Sequence, residues 1–134
     1  MDRPGRSLDK FFRSVAGLLR PDGWSPAEQK RTLLKPGLFG VLIIQLQLAA
    51  HTDVSEFFVN LFVDFPIDEG LIVLNPGRFT RLPDPIHGGH RWLIDEADLE
   101  VFAEQLAQGD VFFRRWDTKD NRDLAWAPAG APEV

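Results

Sequence analysis

Leu38-Phe39-Gly40-Val41-Leu42-Ile43-Ile44-Gln45-Leu46-Gln47-Leu48-Ala49-Ala50, with Phe57-Phe58-Val59-Asn60-Leu61-Phe62-Val63-Asp64-Phe65 soon after it, is the stretch that decides the fold. From Leu42 on, Ile44, Leu46 and Leu48 alternate with Gln45 and Gln47. In the second segment Phe57, Val59, Leu61, Val63 and Phe65 fall on one parity, with Asn60 and Asp64 on the other. A period of two held over this length belongs to a strand with one face on a core. The connection through His51-Thr52-Asp53 is short, so the two strands are predicted to pair as an antiparallel hairpin.

Toward the N-terminus, Leu8, Phe11, Phe12, Val15, Leu18 and Leu19 recur at helical spacing and predict a helix over Ser7–Arg20. Ser7 is placed as its N-cap, and Pro21-Asp22-Gly23 ends it. Trp24 to Lys35 stays open between loop and strand. Pro26 argues against a strand start, while Arg31–Leu34 can form a short edge strand. Beyond the hairpin, Leu71–Leu74 and Arg91–Ile94 are candidates for a third and a fourth strand, separated by a long glycine- and proline-rich loop. A second helix is expected over Glu96–Gln108, capped by Asp95 and stopped by Gly109. Asp110–Trp126 is expected to hold one or two short helical turns, and 127–134 to fray as a tail. The expectation is one α+β domain over 1–126. It has two layers, with an antiparallel meander sheet of about four strands, an N-terminal helix and C-terminal helices.

Composition sets the outer bounds. The chain has 134 residues with 15 Lys+Arg and 20 Asp+Glu, a net charge of −5, which argues against nucleic acid or an anionic membrane as the main partner. Zero Cys excludes disulfides, thiolate zinc sites, Fe–S clusters and a cysteine nucleophile. Met1-Asp2-Arg3-Pro4-Gly5-Arg6 leads into no uninterrupted apolar stretch, and Leu38–Ala50 is too short to cross a bilayer. The expectation is therefore a soluble cytoplasmic protein with no membrane partner.

Candidate chemistry is sparse. His87 and His90, two glycines apart, can reach one metal, with Asp84 or Asp95 adding a carboxylate. The competing reading is a loop that happens to carry two histidines. His51 with Asp53 could be half of an acid–base pair, but polar residues at a strand turn ordinarily serve turn chemistry, and Asp53 can close an Asx turn on its own. No nucleophile elbow is present, and Gly37-Leu38-Phe39-Gly40 lacks the Lys-Ser/Thr of a phosphate-binding loop. Lys30-Arg31, Arg114-Arg115 and the Arg78/Arg81 pair are isolated basic spots with acids between them. Gln45, Gln47, Asn60 and Asp64 share the outward face of the hairpin and form either a partner-binding surface or a solvated sheet face. Eleven Phe and four Trp without one Tyr, with Phe57/Phe58 and Phe112/Phe113 unable both to point inward, imply either exposed rings that suit an interface or a second helix that covers them on the other sheet face.

The order of these features resembles a bacterial family known as domain of unknown function 4304. The resemblance rests on Leu18-Leu19-Arg20-Pro21-Asp22-Gly23-Trp24 at the end of the first helix, on Ile43-Ile44-Gln45-Leu46-Gln47, and on Phe57 to Pro66. It spans Leu8 to about Leu124 and departs from the family pattern over Ser25–Thr32, where Pro26 enters a strand-like stretch. It implies a fold and a bacterial origin, and brings no activity or catalytic residues.

The functional expectation is a non-enzymatic domain that binds a protein partner or a second copy of itself, without cofactor. A concrete version is an immunity-type protein whose acidic surface masks a basic toxin. Gln45, Gln47, Asn60 and Asp64, or the loop Asp84–His90, would form the contact, and Asp64→Lys would weaken a complex while leaving the fold intact. The alternative is a small metal-dependent or His/Asp enzyme built on the His87–His90 loop.

Overall fold

The computed structural model describes residues 4–49, 56–65, 79–86 and 88–126. The hairpin forms as the alternation demands. Strand β3 (Val41–Leu48) pairs antiparallel with β4 (Glu56–Asp64), from Val41↔Asp64 to Leu48↔Phe57. Leu42, Ile44 and Leu46 and the β4 residues Phe57, Val59, Leu61 and Val63 are all buried on one face. β2 (Thr32–Pro36) lies along the other side of β3, and β1 (Ser25–Pro26) lies outside β2. The stretch left open in the sequence is thus a strand plus a two-residue edge. Pro26 is tolerated there because an edge position does not require its missing N–H.

On the far side of β4, β5 (Phe79–Arg81) pairs with Asn60–Phe62 and β6 (Trp92–Leu93) with Glu56–Phe57. The order is β1-β2-β3-β4-β5, with β6 also on β4. The expected strand at Arg91–Ile94 appears as β6, two residues long before a 3₁₀ turn over Ile94–Glu96. β5 was missed because three residues are too few to show a period. Leu71–Leu74, His51-Thr52-Asp53 and the tail 127–134 lie outside the described residues.

Both long helices cover the same face of the sheet. Helix α1 (Pro4–Leu19) starts before the expected Ser7 and buries Leu8, Val15 and Leu19. A 3₁₀ turn, Arg20–Asp22, follows and is closed by Gly23 at φ 94°, a left-handed conformation that glycine adopts without strain. Helix α2 (Leu99–Trp116) corrects two expectations. Its cap is Asp98, whose Oδ1 accepts the N–H groups of Glu100 (2.8 Å) and Val101 (3.2 Å), while Asp95 sits in the preceding 3₁₀ turn. Gly109 does not stop the helix; it lies buried within it. A Cβ there would come 2.8 Å from Leu61 Cδ1, so glycine is what allows α2 to approach β4. The helix therefore runs on through Phe112 and Phe113, and a third helix, α3 (Lys119–Trp126), follows.

The core between the layers is aromatic. Phe11 meets Phe57 and Phe102, each at 5.6 Å between ring centroids, and Trp92 lies 6.2 Å from Phe57 and 5.8 Å from Phe102. The Trp92 indole N–H donates to the Leu82 carbonyl at 3.1 Å, which satisfies the one polar atom of a buried ring. Of the doubled phenylalanines, Phe57 and Phe113 are buried and Phe58 and Phe112 are half-buried. Much of the aromatic surplus is therefore core.

One carboxylate joins the layers at their other end. Asp117, the residue after α2, is buried and accepts the N–H groups of Leu38 (2.6 Å), Phe39 (2.9 Å) and Gly40 (2.8 Å) at the tip of the β2–β3 hairpin. A side chain at Gly37 would collide with this carboxylate. The glycine-rich tip is therefore a cradle of N–H groups filled by the chain's own anion.

Candidate functional site

The face of the sheet turned away from α1 and α2 carries the residues singled out in the sequence. The strand register arranges them in rows. Thr32 stands opposite Gln45, Gln45 opposite Asn60, and Asn60 opposite Arg81, which makes one polar row across four strands. Beside it, Leu34, Ile43, Phe62 and Phe79 form an apolar row by the same register. On the other side Gln47 stands opposite Phe58. Cross-strand neighbours on one face are close enough to interact directly.

Asn60 is the centre of the polar row. It is only 2% exposed, and its side-chain amide donates to Gln45 Oε1 (3.2 Å) and Gln47 Oε1 (2.9 Å). Its Oδ1 accepts from Arg81 Nε at 3.1 Å. Both N–H donors and the carbonyl of this buried amide are thus used, as burial requires. The face is neither a simple solvated surface nor a set of independent side chains. It is one hydrogen-bonded array with Gln47 at its exposed end.

Arg81 extends the array in a direction the sequence did not reveal. Its guanidinium lies 4.0 Å over the Phe58 ring and 5.5 Å from Phe79. Arg91 approaches the same Phe58 ring at 6.0 Å and pairs with Glu56 at 3.4 Å. Phe62 and Phe79 meet at 5.1 Å, and Phe79 is 38% exposed. Two arginines thus share one ring, and of the two Arg91 is balanced by Glu56. The signal missed in the sequence is pairing: Arg81 and Phe58 are 23 residues apart and meet only because β5 adds to β4.

Asp64 has the expected parity but a different setting. It is 2% exposed, stands opposite Val41 at the end of the hairpin, and its Oδ1 accepts the Phe65 N–H at 2.9 Å. The Asn60 array does not include it. Asp64→Lys would force an ammonium into a buried position, so it perturbs folding rather than leaving the fold intact.

The histidine loop is described in part. Asp84 is buried, with its Oδ1 accepting the Ile86 N–H (2.9 Å), its own N–H donating to Gly89 and its carbonyl accepting from Gly88. This is the turn chemistry of an aspartate that shapes a loop. His90 is exposed, and Asp95 is exposed in the 3₁₀ turn. His51, Asp53 and His87 lie outside the described residues. Among the described residues, no three His, Cys, Asp or Glu side chains stand where they could share a metal ion.

The opposite layer has its own charge. From Trp92 to Phe113 the chain holds Asp95, Glu96, Asp98, Glu100, Glu104 and Asp110 and not one Lys or Arg. All six are exposed, and Asp110 pairs with Arg114 at 3.1 Å. A shallow groove between α1, α2 and the sheet is floored by Leu19, Trp24, Leu42 and Phe113, with Lys35 and Asp110 at its rim. No described helix is long and apolar enough to cross a membrane. Comparison of the chain with family models, with curated proteins and with solved structures finds no match in any of the three.

Proposed function

We propose that this chain is a non-enzymatic cytoplasmic protein-binding domain whose recognition surface is the outer face of its sheet. The observation that carries the reading is the Asn60-centred array, which ties Gln45, Gln47 and Arg81 into one fixed arrangement beside Phe58, Phe62 and Phe79. Polar groups held on strands lose little freedom when a partner docks. Aromatic rings beside an arginine are the composition that dominates binding energy at protein interfaces. In this reading Gln45 and Gln47 contact the partner together with Arg81 and Phe58, and the buried Asn60 positions them.

A photo-crosslinking residue placed at Gln47, and separately at Glu104 on α2, tests the reading in lysate of the source organism. The expected result is a discrete covalent adduct from position 47 and none from position 104. An adduct at twice the chain mass identifies the partner as a second copy. No adduct from either position overturns the reading.

A second reading draws on the acidic helix layer. The stretch from Trp92 to Phe113, with six carboxylates and no cation, suits a basic partner and is where an immunity-type masking of a basic toxin would act. Adducts from position 104 alone would select it.

A further inference from the structure

We infer that Arg81 is a receptor for a single carboxylate, supplied by a Glu or Asp side chain of the protein that docks on the outer sheet face. The inference rests on the reading of that face as a recognition surface and names the chemistry of its partner. The guanidinium is held twice, its central carbon 4.0 Å from the Phe58 ring centroid and its Nε donating to Asn60 Oδ1 at 3.1 Å. Asn60 is itself held by Gln45 and Gln47, so the support continues into β3. Among the described residues, no hydrogen bond or ion pair engages the two Nη groups of Arg81.

An arginine oriented in this way, with both Nη groups unused, presents the paired donors that match a planar carboxylate. The surroundings favour one negative charge rather than two. Arg91, the other cation at Phe58, is already paired with Glu56 at 3.4 Å. Asp64, on the same face, lies beyond the apolar row and is bonded to Phe65 N–H. The ligand thus meets one available guanidinium, amide groups to one side and the accessible rings and side chain of Leu34, Phe62 and Phe79 to the other. Those neighbours suit an extended segment that carries one acidic side chain among apolar ones.

The test is an NMR titration of the full chain with an acetylated, amidated pentapeptide bearing one glutamate between two valines. Its glutamine counterpart and inorganic phosphate serve as the comparison probes. The expected result is movement of the Arg81 Nε–H and Phe58 ring signals with the glutamate peptide, with the glutamine peptide at least tenfold weaker. Arg81→Lys, which keeps the charge and loses the fork, is expected to weaken the glutamate peptide at least tenfold while the chain stays folded by circular dichroism. If that variant fails to fold, Phe58→Leu, which keeps the arginine and removes the ring beneath it, is expected to weaken the peptide in the same direction. Equal binding of the two peptides, full binding by Arg81→Lys, or displacement of the peptide by phosphate at lower concentration each overturns the inference. A silent glutamate titration overturns it too. A partner still crosslinked through position 47 would then show that the face is right and the carboxylate wrong.

Discussion

At Gly109 one missing methyl group sets the distance between α2 and β4. Alanine is the better helix former by about 1 kcal/mol, so propensity alone predicts that Gly109→Ala stabilises the protein. The packing points the other way, because the new Cβ would stand 2.8 Å from Leu61 Cδ1 and 3.3 Å from Leu82 Cδ2. Leu61 is fully buried, so its side chain must shift against packed neighbours. Overpacking of this kind costs about 1–3 kcal/mol, so the expected net change is a loss of up to about 2 kcal/mol. A urea melt of Gly109→Ala checks the sign, and a more stable variant would mean that α2 shifts freely on the sheet. In the sequence this glycine looks like a helix stop, since nothing local distinguishes a C-cap glycine from one required by a neighbouring layer.

Among the elements, the β2–β3 hairpin depends on a residue far away in sequence. Its tip at Leu38–Gly40 turns three N–H groups toward the Asp117 carboxylate at the end of α2. Hydrogen bonds to a charged acceptor contribute about 1.5–3 kcal/mol each when made singly, and three to one carboxylate do not add. Asp117→Ala is therefore expected to lose about 2–4 kcal/mol overall, since it leaves the N–H groups without their acceptor. Hydrogen exchange at Leu38, Phe39 and Gly40 should accelerate in the variant far more than exchange at Leu46 or Val59 near the middle of the sheet. Equal acceleration at all five would mean that the carboxylate supports the whole fold rather than the tip. The hairpin strands themselves were legible from their alternation. The cradle at their tip was not, because its acceptor lies near residue 117 and no spacing rule connects the two.

Over the whole molecule, a single aromatic core holds helices and sheet together. Phe102 on α2 touches Phe11 of α1 and Trp92 of β6, and Phe11 in turn meets Phe57 of β4. Phe102→Ala empties a fully buried position shared by both layers and is expected to lose about 3–5 kcal/mol. With one core the loss should be global, so far-UV and near-UV circular dichroism should report the same shifted transition. Two separated transitions would show that the helices and the sheet unfold independently. At this scale the charge is divided as well. The acids of Asp95 to Asp110 line the helix layer, while Arg81 and Arg91 gather at Phe58 on the outer sheet face. The net charge of −5 is therefore unevenly spread, with its excess of acids on the helix layer and the outer face holding Glu56 and Asp64 against the two arginines.

Periodicity along the chain was enough to determine the two central strands, which of their faces meets the core, the presence of helices before and after them, and the polar set Gln45, Gln47 and Asn60 on the outward side. Each of these is a local signal, written in residues two to four positions apart. Tertiary structure alone decided that Asn60 is buried at the hub of an array, that Asp64 stands apart from it, and that Arg81 comes to rest on Phe58. Those outcomes depend on the register between strands and on the short strand β5, whose pairing partners are distant in the chain. Hydrogen bonds across a sheet join residues by alignment rather than by spacing, so the site became visible only once the strands were set side by side.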